Sequence, residues 1–181
     1  FIGRMLEEKG GDLLPHASAV SLSENYQKLN ILILGSGNAA IENHLNSLLQ
    51  DYKGNYNTFI GYNEELAHLI YAGSDFLLMP SRVEPCGLNQ MYSLRYGTIP
   101  IVRRTGGLKD TVIVFGDNGN GICHNQATVS DVCYSIQRAI ILFDDKKELN
   151  KIRKIGMNTD HSWERVCQEY IEMYKQIIDK R

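Results

Sequence analysis

Short apolar runs rich in β-branched residues alternate along this chain with longer segments that have the apolar period of a helix. The runs lie at residues 30–34, 57–60, 75–79 and 99–102, with two shorter ones at 1–3 and near 121–123. Strands that alternate with helices in this way build βαβ units with parallel pairing. The pattern therefore predicts an α/β fold with six strands in one mostly parallel sheet.

The segments between and after these runs predict the helices. They lie at residues 11–29, 39–49, 64–71, 88–96, 108–112, 129–143, 146–155 and 163–178. The last three follow one another without an intervening strand, so a helical C-terminal tail is expected. The 181 residues, 43% of them hydrophobic, supply one core and are too few for two comfortable domains. The predicted architecture is a single Rossmann-like domain with helices flanking the sheet.

Charge and composition exclude several classes of partner. The formal net charge is -2 and no run of five like charges occurs, so the sequence predicts neither nucleic-acid nor membrane binding. Four scattered cysteines and five histidines lack metal-ligand spacing, so neither a metal nor another cofactor is expected. The sequence has no apolar run long enough to span a bilayer, and a cytoplasmic location is expected.

The turn after the first predicted strand carries two cations. Arg4 and Lys9 lie five residues apart in the stretch 3–11. A planar guanidinium fork beside a mobile ammonium suits a diphosphate or phosphate ester. The alternative is that both are solvated surface cations flanking Glu7 and Glu8, and this turn alone does not decide between them.

Two further turns offer weaker signals. The stretch GSGN at 35–38 resembles the start of a dinucleotide fingerprint, but nothing later completes it. Glycines that ease a tight turn, with Asn38 as the helix cap, are the favoured explanation, and an NAD-dependent oxidoreductase would rest on this motif alone. Tyr62 follows the next strand and either stacks on a nucleobase or packs on the surface.

The fourth turn, SRVEPCGLNQ at 81–90, places the carboxylate of Glu84 between a buried strand and a helix. The fifth, RRTGGLKD at 103–110, carries Gly106 and Gly107 directly before a helix, where backbone N–H groups can approach an anion. A flexible loop is the alternative for the glycine pair. Three turns suited to phosphate, 4–9, 86–88 and 105–107, follow strands of one predicted parallel sheet. Their conjunction favours a ligand site where the strands end.

Several collinear motifs carry a family resemblance. SRVEPCGLNQMYSLRYGTIPIVRRTGGLKDTV at 81–112 closely resembles the signature of bacterial glycogen synthases and plant starch synthases. GRMLEEKGGDLL at 3–14, GYNEELAHLIYAGSDFLLMPS at 61–81 and SWERVCQEYIEMY at 162–174 are also similar to segments of that family. These are retaining glycosyltransferases with two Rossmann-like domains. The chain departs from the family in the residues between Arg4 and Lys9. Tyr92 stands where related transferases often carry a second Glu, and glycogen and starch synthases commonly have Tyr there, which narrows the resemblance to them.

The resemblance implies that residues 1–181 form the C-terminal, donor-nucleotide-binding domain, with the N-terminal domain absent. The donor would be ADP-glucose or UDP-glucose, and the acceptor an α-1,4-glucan held through the absent domain. The implied catalytic residues are Arg4 and Lys9 at the diphosphate and Glu84 at the glucose hydroxyls. The implied binding residues are Tyr62 at the base, and Cys86, Gly87, Leu88, Thr105, Gly106 and Gly107 at the sugar and phosphates.

Because the sequence begins inside a predicted strand without an initiator Met, we expect it to be a piece of a longer protein. On its own it is expected to bind sugar nucleotide weakly and to transfer no glucose. The alternative is a stand-alone nucleotide-sugar-binding module without catalysis.

Overall fold

The computed structural model describes residues 1–116 and 118–179. This part of the chain contains five strands, β1 (Ile31–Gly35), β2 (Tyr56–Ile60), β3 (Phe76–Met79), β4 (Ile99–Arg103) and β5 (Ile122–His124). Its eight α-helices are α1 (Leu14–Asn25), α2 (Ala39–Asp51), α3 (Glu64–Gly73), α4 (Asn89–Tyr96), α5 (Gly106–Thr111), α6 (Val129–Asp144), α7 (Lys146–Asn158) and α8 (Trp163–Ile178). Two short 3-10 turns, Glu7–Lys9 and Gly11–Leu13, precede α1.

The strands form two parallel sheets instead of one. β1 pairs with β2, while β4 lies between β3 and β5. The predicted α/β class and parallel pairing are confirmed, but the six-stranded single sheet is wrong for the described residues. The segment expected as the first strand runs parallel to β1, where the Phe1 amino group and the Gly3 N–H donate to the Leu32 and Leu34 carbonyls and the Leu34 N–H donates to the Phe1 carbonyl. Its one bridge to β1 joins Ile2 to Leu34, and Met5 meets Gly37 beyond the end of β1, so the pairing is too short to form a strand of the sheet.

A cavity of about 880 Å³ lies between the two sheets. It is lined at the amino-terminal halves of β1 and β3, by Ile31 and Leu32 on one side and Phe76 and Leu77 on the other. This cavity is therefore at the opposite edge from the turns that follow the strands.

The core forms where helices cover the strands. β4 is buried from Ile99 to Val102, as expected for a parallel strand covered on both faces. The helix pair α1 and α6 packs through Ala17, Val132 and Ile136. By contrast, α8 has no buried residue, and Trp163 is 78% exposed. The predicted helical tail is present, but its aromatic side chains do not contribute to this core.

The helices differ in how their first turns are capped. Side chains of Asn38, Asn63 and Thr128 accept hydrogen bonds at the starts of α2, α3 and α6. In the described part, α4 and α5 begin after Leu88 and Thr105 without a side-chain cap. The first N–H groups of a helix need partners other than the helix itself. At α4 and α5 these partners come from neighbouring backbone, from water or from a ligand.

Candidate functional site

Two of the predicted turns are packed against each other. The backbone N–H groups of Arg82 and Val83 both donate to the Glu8 carbonyl, at 2.8 and 3.0 Å. Gly10 has φ +71°, and a Cβ there would lie 2.4 Å from the Pro80 carbonyl oxygen. A side chain at this position would therefore push the turn after residue 3 away from the turn after β3.

The contact between these turns brings two predicted site residues together. Lys9 Nζ lies 2.8 Å from Glu84 Oε2, although 75 residues separate them in sequence. Their side chains are only 19% and 11% exposed, and Ser81 Oγ lies 3.4 Å from the same carboxylate oxygen. Lys9 is therefore not a freely solvated cation, since it neutralises a partly buried carboxylate.

Arg4 has a different environment from Lys9. Its side chain is 64% exposed and pairs with Glu8 at 2.5 Å, four residues along the chain. Exposed pairs of this kind contribute little to stability. The guanidinium is thus held on the same turn as Lys9 but remains accessible from solvent.

The glycine pair packs against the Glu84 turn. A Cβ on Gly106, whose φ is +44°, would lie 1.9 Å from the Glu84 carbonyl oxygen, and one on Gly107 would lie 2.3 Å from that of Cys86. The Gly107 N–H donates to the carbonyls of Glu84 and Pro85, at 3.0 and 3.2 Å. The two glycines therefore allow α5 to dock on this turn, and the Gly107 N–H is used for that contact.

Gln90 is a site residue that sequence reasoning missed. Its side chain is fully buried, and Nε2 donates to the carbonyls of Cys86 and Gly87 at 3.1 and 2.9 Å. Gly87 has φ +76°, and a Cβ there would lie 2.5 Å from Gln90 Oε1. Gln90 thus fixes the loop that leads into α4, while Cys86 and Leu88 are exposed beside it. Gln90 is the second residue of α4, and an amide at that position gives no recognisable signal in the sequence.

Tyr62 stands free on the turn after β2. It is 86% exposed, and its hydroxyl donates to Glu64 Oε2 at 3.2 Å, which raises the pKa of the phenol. The preceding Gly61 N–H bonds the Gly35 carbonyl at 2.8 Å. Gly35 itself lies so close to Gly3 that a Cβ would sit 1.8 Å from the Gly3 oxygen. The Tyr62 turn therefore adjoins the start of the turn that carries Arg4 and Lys9.

The GSGN stretch is explained by packing. Met5 N–H donates to the Ser36 carbonyl at 2.9 Å, and the Gly37 N–H donates to Glu42 Oε1 at 2.6 Å. Asn38 caps α2 by accepting from Ala40 N at 2.8 Å, as predicted. A carboxylate on the Gly37 N–H occupies the place where a dinucleotide phosphate would have to bind. The geometry therefore offers no support for an NAD site here.

Among residues 1–116 and 118–179, no group of three or more His, Cys, Asp or Glu side chains is placed to hold a metal ion. The helices of this part of the chain all lack the combination of length and apolar character needed to cross a membrane.

The chain is similar in sequence to one family of transferases and, over nearly its whole length, to glycogen synthases. The sequence matches the family described as glycosyl transferases group 1 over residues 1–158. A glycogen synthase of Flavobacterium johnsoniae is 73% identical over 181 residues, covering 100% of this chain and 38% of that protein. A glycogen synthase of Rhodospirillum rubrum is 44% identical over 180 residues, covering 98% of this chain and 36% of that protein.

Solved structures extend the comparison. The catalytic domain of starch synthase IV from Arabidopsis thaliana, solved with ADP and acarbose bound, has a TM-score of 0.83 and 32% identity, covering 97% of this chain and 38% of that one. HepE from Anabaena, in complex with UDP, has a TM-score of 0.73 at 14% identity over 97% of this chain and 48% of that one, which shows a shared fold alone. The chain spans 36 to 38% of the two glycogen synthases above. The family resemblance seen in the sequence is confirmed, and this chain belongs to the glycosyl transferases group 1.

Proposed function

We propose that this chain is the donor-binding half of a glycogen or starch synthase, with residues 1–181 as its C-terminal domain. The enzyme transfers glucose from ADP-glucose or UDP-glucose to the non-reducing end of an α-1,4-glucan, with retention of configuration. The observation that carries the proposal is the partly buried pair of Lys9 and Glu84, 2.8 Å apart where two strand-end turns meet. The sequence similarity to glycogen synthases supports the same assignment.

The pair supplies opposite charges suited to the two ends of a nucleotide sugar. Lys9, with Arg4 on the same turn, offers positive charge to the diphosphate and to the charge that builds on it as it leaves. The start of α4 adds backbone N–H groups without a side-chain cap. A carboxylate accepts hydrogen bonds from sugar hydroxyls, so Glu84 is the natural partner of the transferred glucose.

This arrangement separates two groups that would otherwise repel each other. A carboxylate near a diphosphate is unfavourable unless a cation lies between them. Lys9 lies against Glu84 and can therefore face the phosphates while Glu84 faces the sugar. Retention without a covalent glycosyl-enzyme intermediate requires the diphosphate to leave from the face that the acceptor approaches, through a transition state with oxocarbenium character. Cations on the departing phosphates lower that barrier.

The other proposed contacts come from the neighbouring turns. Tyr62 is 86% exposed, so its ring face is available to stack on adenine or uracil. The exposed loop at Cys86 and Leu88 faces the sugar and phosphates, together with the backbone of Thr105 and Gly106. The glucan acceptor is bound mainly by the N-terminal domain of the full-length protein, and the enzyme works in the cytoplasm.

Two experiments test the proposal. Calorimetric titration of the 181-residue chain with ADP-glucose, UDP-glucose and NAD should give weak binding of at least one sugar nucleotide and none of NAD. Radiolabelled glucose should enter glycogen when the full-length protein is supplied with its donor, and should not enter it with the 181-residue chain alone. Tight binding of NAD without a response to either sugar nucleotide would overturn the proposal. A full-length protein that binds donor but never transfers glucose would favour a binding module.

A further inference from the structure

Arg82 makes an ion pair that joins the two turns of the site. Its Nη1 and Nη2 donate to Oδ1 and Oδ2 of Asp12, at 2.5 and 2.9 Å, across 70 residues of sequence. Nη1 also donates to the Glu7 carbonyl at 2.7 Å. A two-pronged contact between a guanidinium and a carboxylate fixes orientation as well as distance.

The backbone of Arg82 adds further links. Its N–H donates to the Glu8 carbonyl at 2.8 Å. Its carbonyl accepts from Arg103 Nη1 at 3.0 Å and from Thr105 Oγ1 at 3.3 Å. Arg82 therefore joins the turns that follow residue 3, β3 and β4, and it lies two residues before Glu84.

The pair combines a contribution to stability with a fixed geometry. The side chains of Arg82 and Asp12 are 35% and 33% exposed, so water screens their attraction, but a two-pronged contact is the kind of partly exposed pair that does contribute to folding free energy. The Arg82–Asp12 pair lies beside the Lys9–Glu84 pair, which would hold the donor. Asp12 is three residues after Lys9, and Arg82 is two residues before Glu84. The geometry of the Arg82–Asp12 pair restricts how far the phosphate-binding turn can move from the sugar-binding turn.

We propose that Arg82 and Asp12 form a positioning pair that fixes the separation of Lys9 and Glu84, so that one donor molecule is held at its phosphates and its glucose simultaneously. The inference rests on the proposed function and adds two residues that do not touch the donor. Transfer requires both contacts at once, whereas ADP binding requires no contact at the glucose. Loss of the pair should therefore affect turnover far more than ADP affinity.

The test uses the full-length protein for kinetics and ADP affinity. Arg82→Ala should lower kcat about 10- to 100-fold, because a displacement of about 1 Å can cost that much in rate. ADP affinity should change less than about threefold, since uniform binding is retained. Arg82→Lys should recover only part of the loss, because an ammonium cannot form the fork. Exchange of the charges, Asp12→Arg with Arg82→Asp, should exceed Arg82→Ala in kcat by about fivefold or more.

Arg153→Ala is the matched control. Arg153 pairs with Asp75 at 2.5 Å across 78 residues, with side chains 28% and 48% exposed. Asp75 precedes β3 and therefore lies at the edge opposite the site. Thermal unfolding of each variant separates lost stability from lost positioning. If Arg82→Ala fails to fold, the kcat and the ADP affinity of Arg82→Lys provide the test.

Two results would overturn the inference while leaving the proposed function intact. One is an equal loss of kcat in Arg82→Ala and Arg153→Ala. The other is a fall in ADP affinity that matches the fall in kcat. Absence of transfer by the unsubstituted full-length protein from either sugar nucleotide would overturn the proposed function, and the positioning role with it.

Discussion

Replacing Glu84 with glutamine should separate ADP binding from glucose transfer. The substitution removes the charge that holds Lys9 Nζ at 2.8 Å while keeping almost the same side-chain shape. At an effective dielectric constant of about 20, opposite charges at that separation attract by about 6 kcal/mol before desolvation. The cost of removing both groups from water cancels most of this attraction. We expect about 1 kcal/mol of attraction between Lys9 and Glu84 to remain after desolvation. Its loss frees Lys9 for the phosphates and corresponds to about fivefold tighter ADP binding.

Turnover should change in the opposite direction. The amide cannot supply the negative charge that accepts hydrogen bonds from the glucose hydroxyls, and loss of one such contact costs about 100-fold in kcat. ADP affinity is measured by calorimetry on the full-length protein, and kcat by incorporation of radiolabelled glucose. Glu7→Gln is the matched control, because it removes the same charge from an exposed position two residues before Lys9. It should change ADP affinity less than about twofold, since exposed charges are screened.

Two outcomes would contradict these roles. If Glu84→Gln weakens ADP binding by the same factor as it lowers kcat, then Glu84 does not contact the glucose separately from the contact of Lys9 with the phosphates. Equal tightening in Glu84→Gln and Glu7→Gln would point to net charge instead of the pair.

Three further perturbations test separate parts of the structure. Tyr62→Ala should weaken ADP binding by about 10- to 100-fold without lowering Tm, because the ring is 86% exposed and base stacking is worth about 1–3 kcal/mol; an unchanged Kd would contradict the stacking role. Gly106→Ala should destabilise the chain by more than about 2 kcal/mol in urea unfolding, since its Cβ would lie 1.9 Å from a carbonyl oxygen. Gly73→Ala, with nothing within 4 Å, should not destabilise it. Burial lowers the pKa of His124, so the unfolded chain binds protons more readily and stability should fall as the pH drops below about 6.5. His124→Asn should flatten this slope, leaving the part due to His161, whose pKa burial also lowers; an unchanged slope would contradict the assignment.

Most of the fold followed from local pattern. The runs at β1 through β5 and the helices that follow them were predicted within a few residues, because buried parallel strands read as continuous apolar segments. The exception is the segment around Ile2, which pairs with β1 in parallel but over too few residues to form a strand of the sheet. Composition reports the tendency of a segment to extend, while the length of a ladder depends on how many consecutive residues a neighbouring strand can pair.

The site was predicted unevenly for a related reason. Glu84, Lys9 and the glycine pair stood out because they fall on turns that follow strands of one parallel sheet, where ligand sites form. Arg82 and Gln90 did not stand out, since an arginine on a surface turn and an amide in a helix are ordinary in sequence. Their importance lies in contacts with Asp12, and with the loop at Cys86, that only the folded chain creates.

The sequence by itself determined the α/β class, the parallel pairing, the family and the turns of the candidate site, because each depends on residue types and spacing along the chain. The tertiary structure decided that the strands divide into two sheets and that Lys9 meets Glu84. It also decided that Gly107 uses its N–H to dock α5 on the neighbouring turn. Each of these depends on which distant segments come within about 3 Å of each other, the range over which hydrogen bonds and ion pairs act.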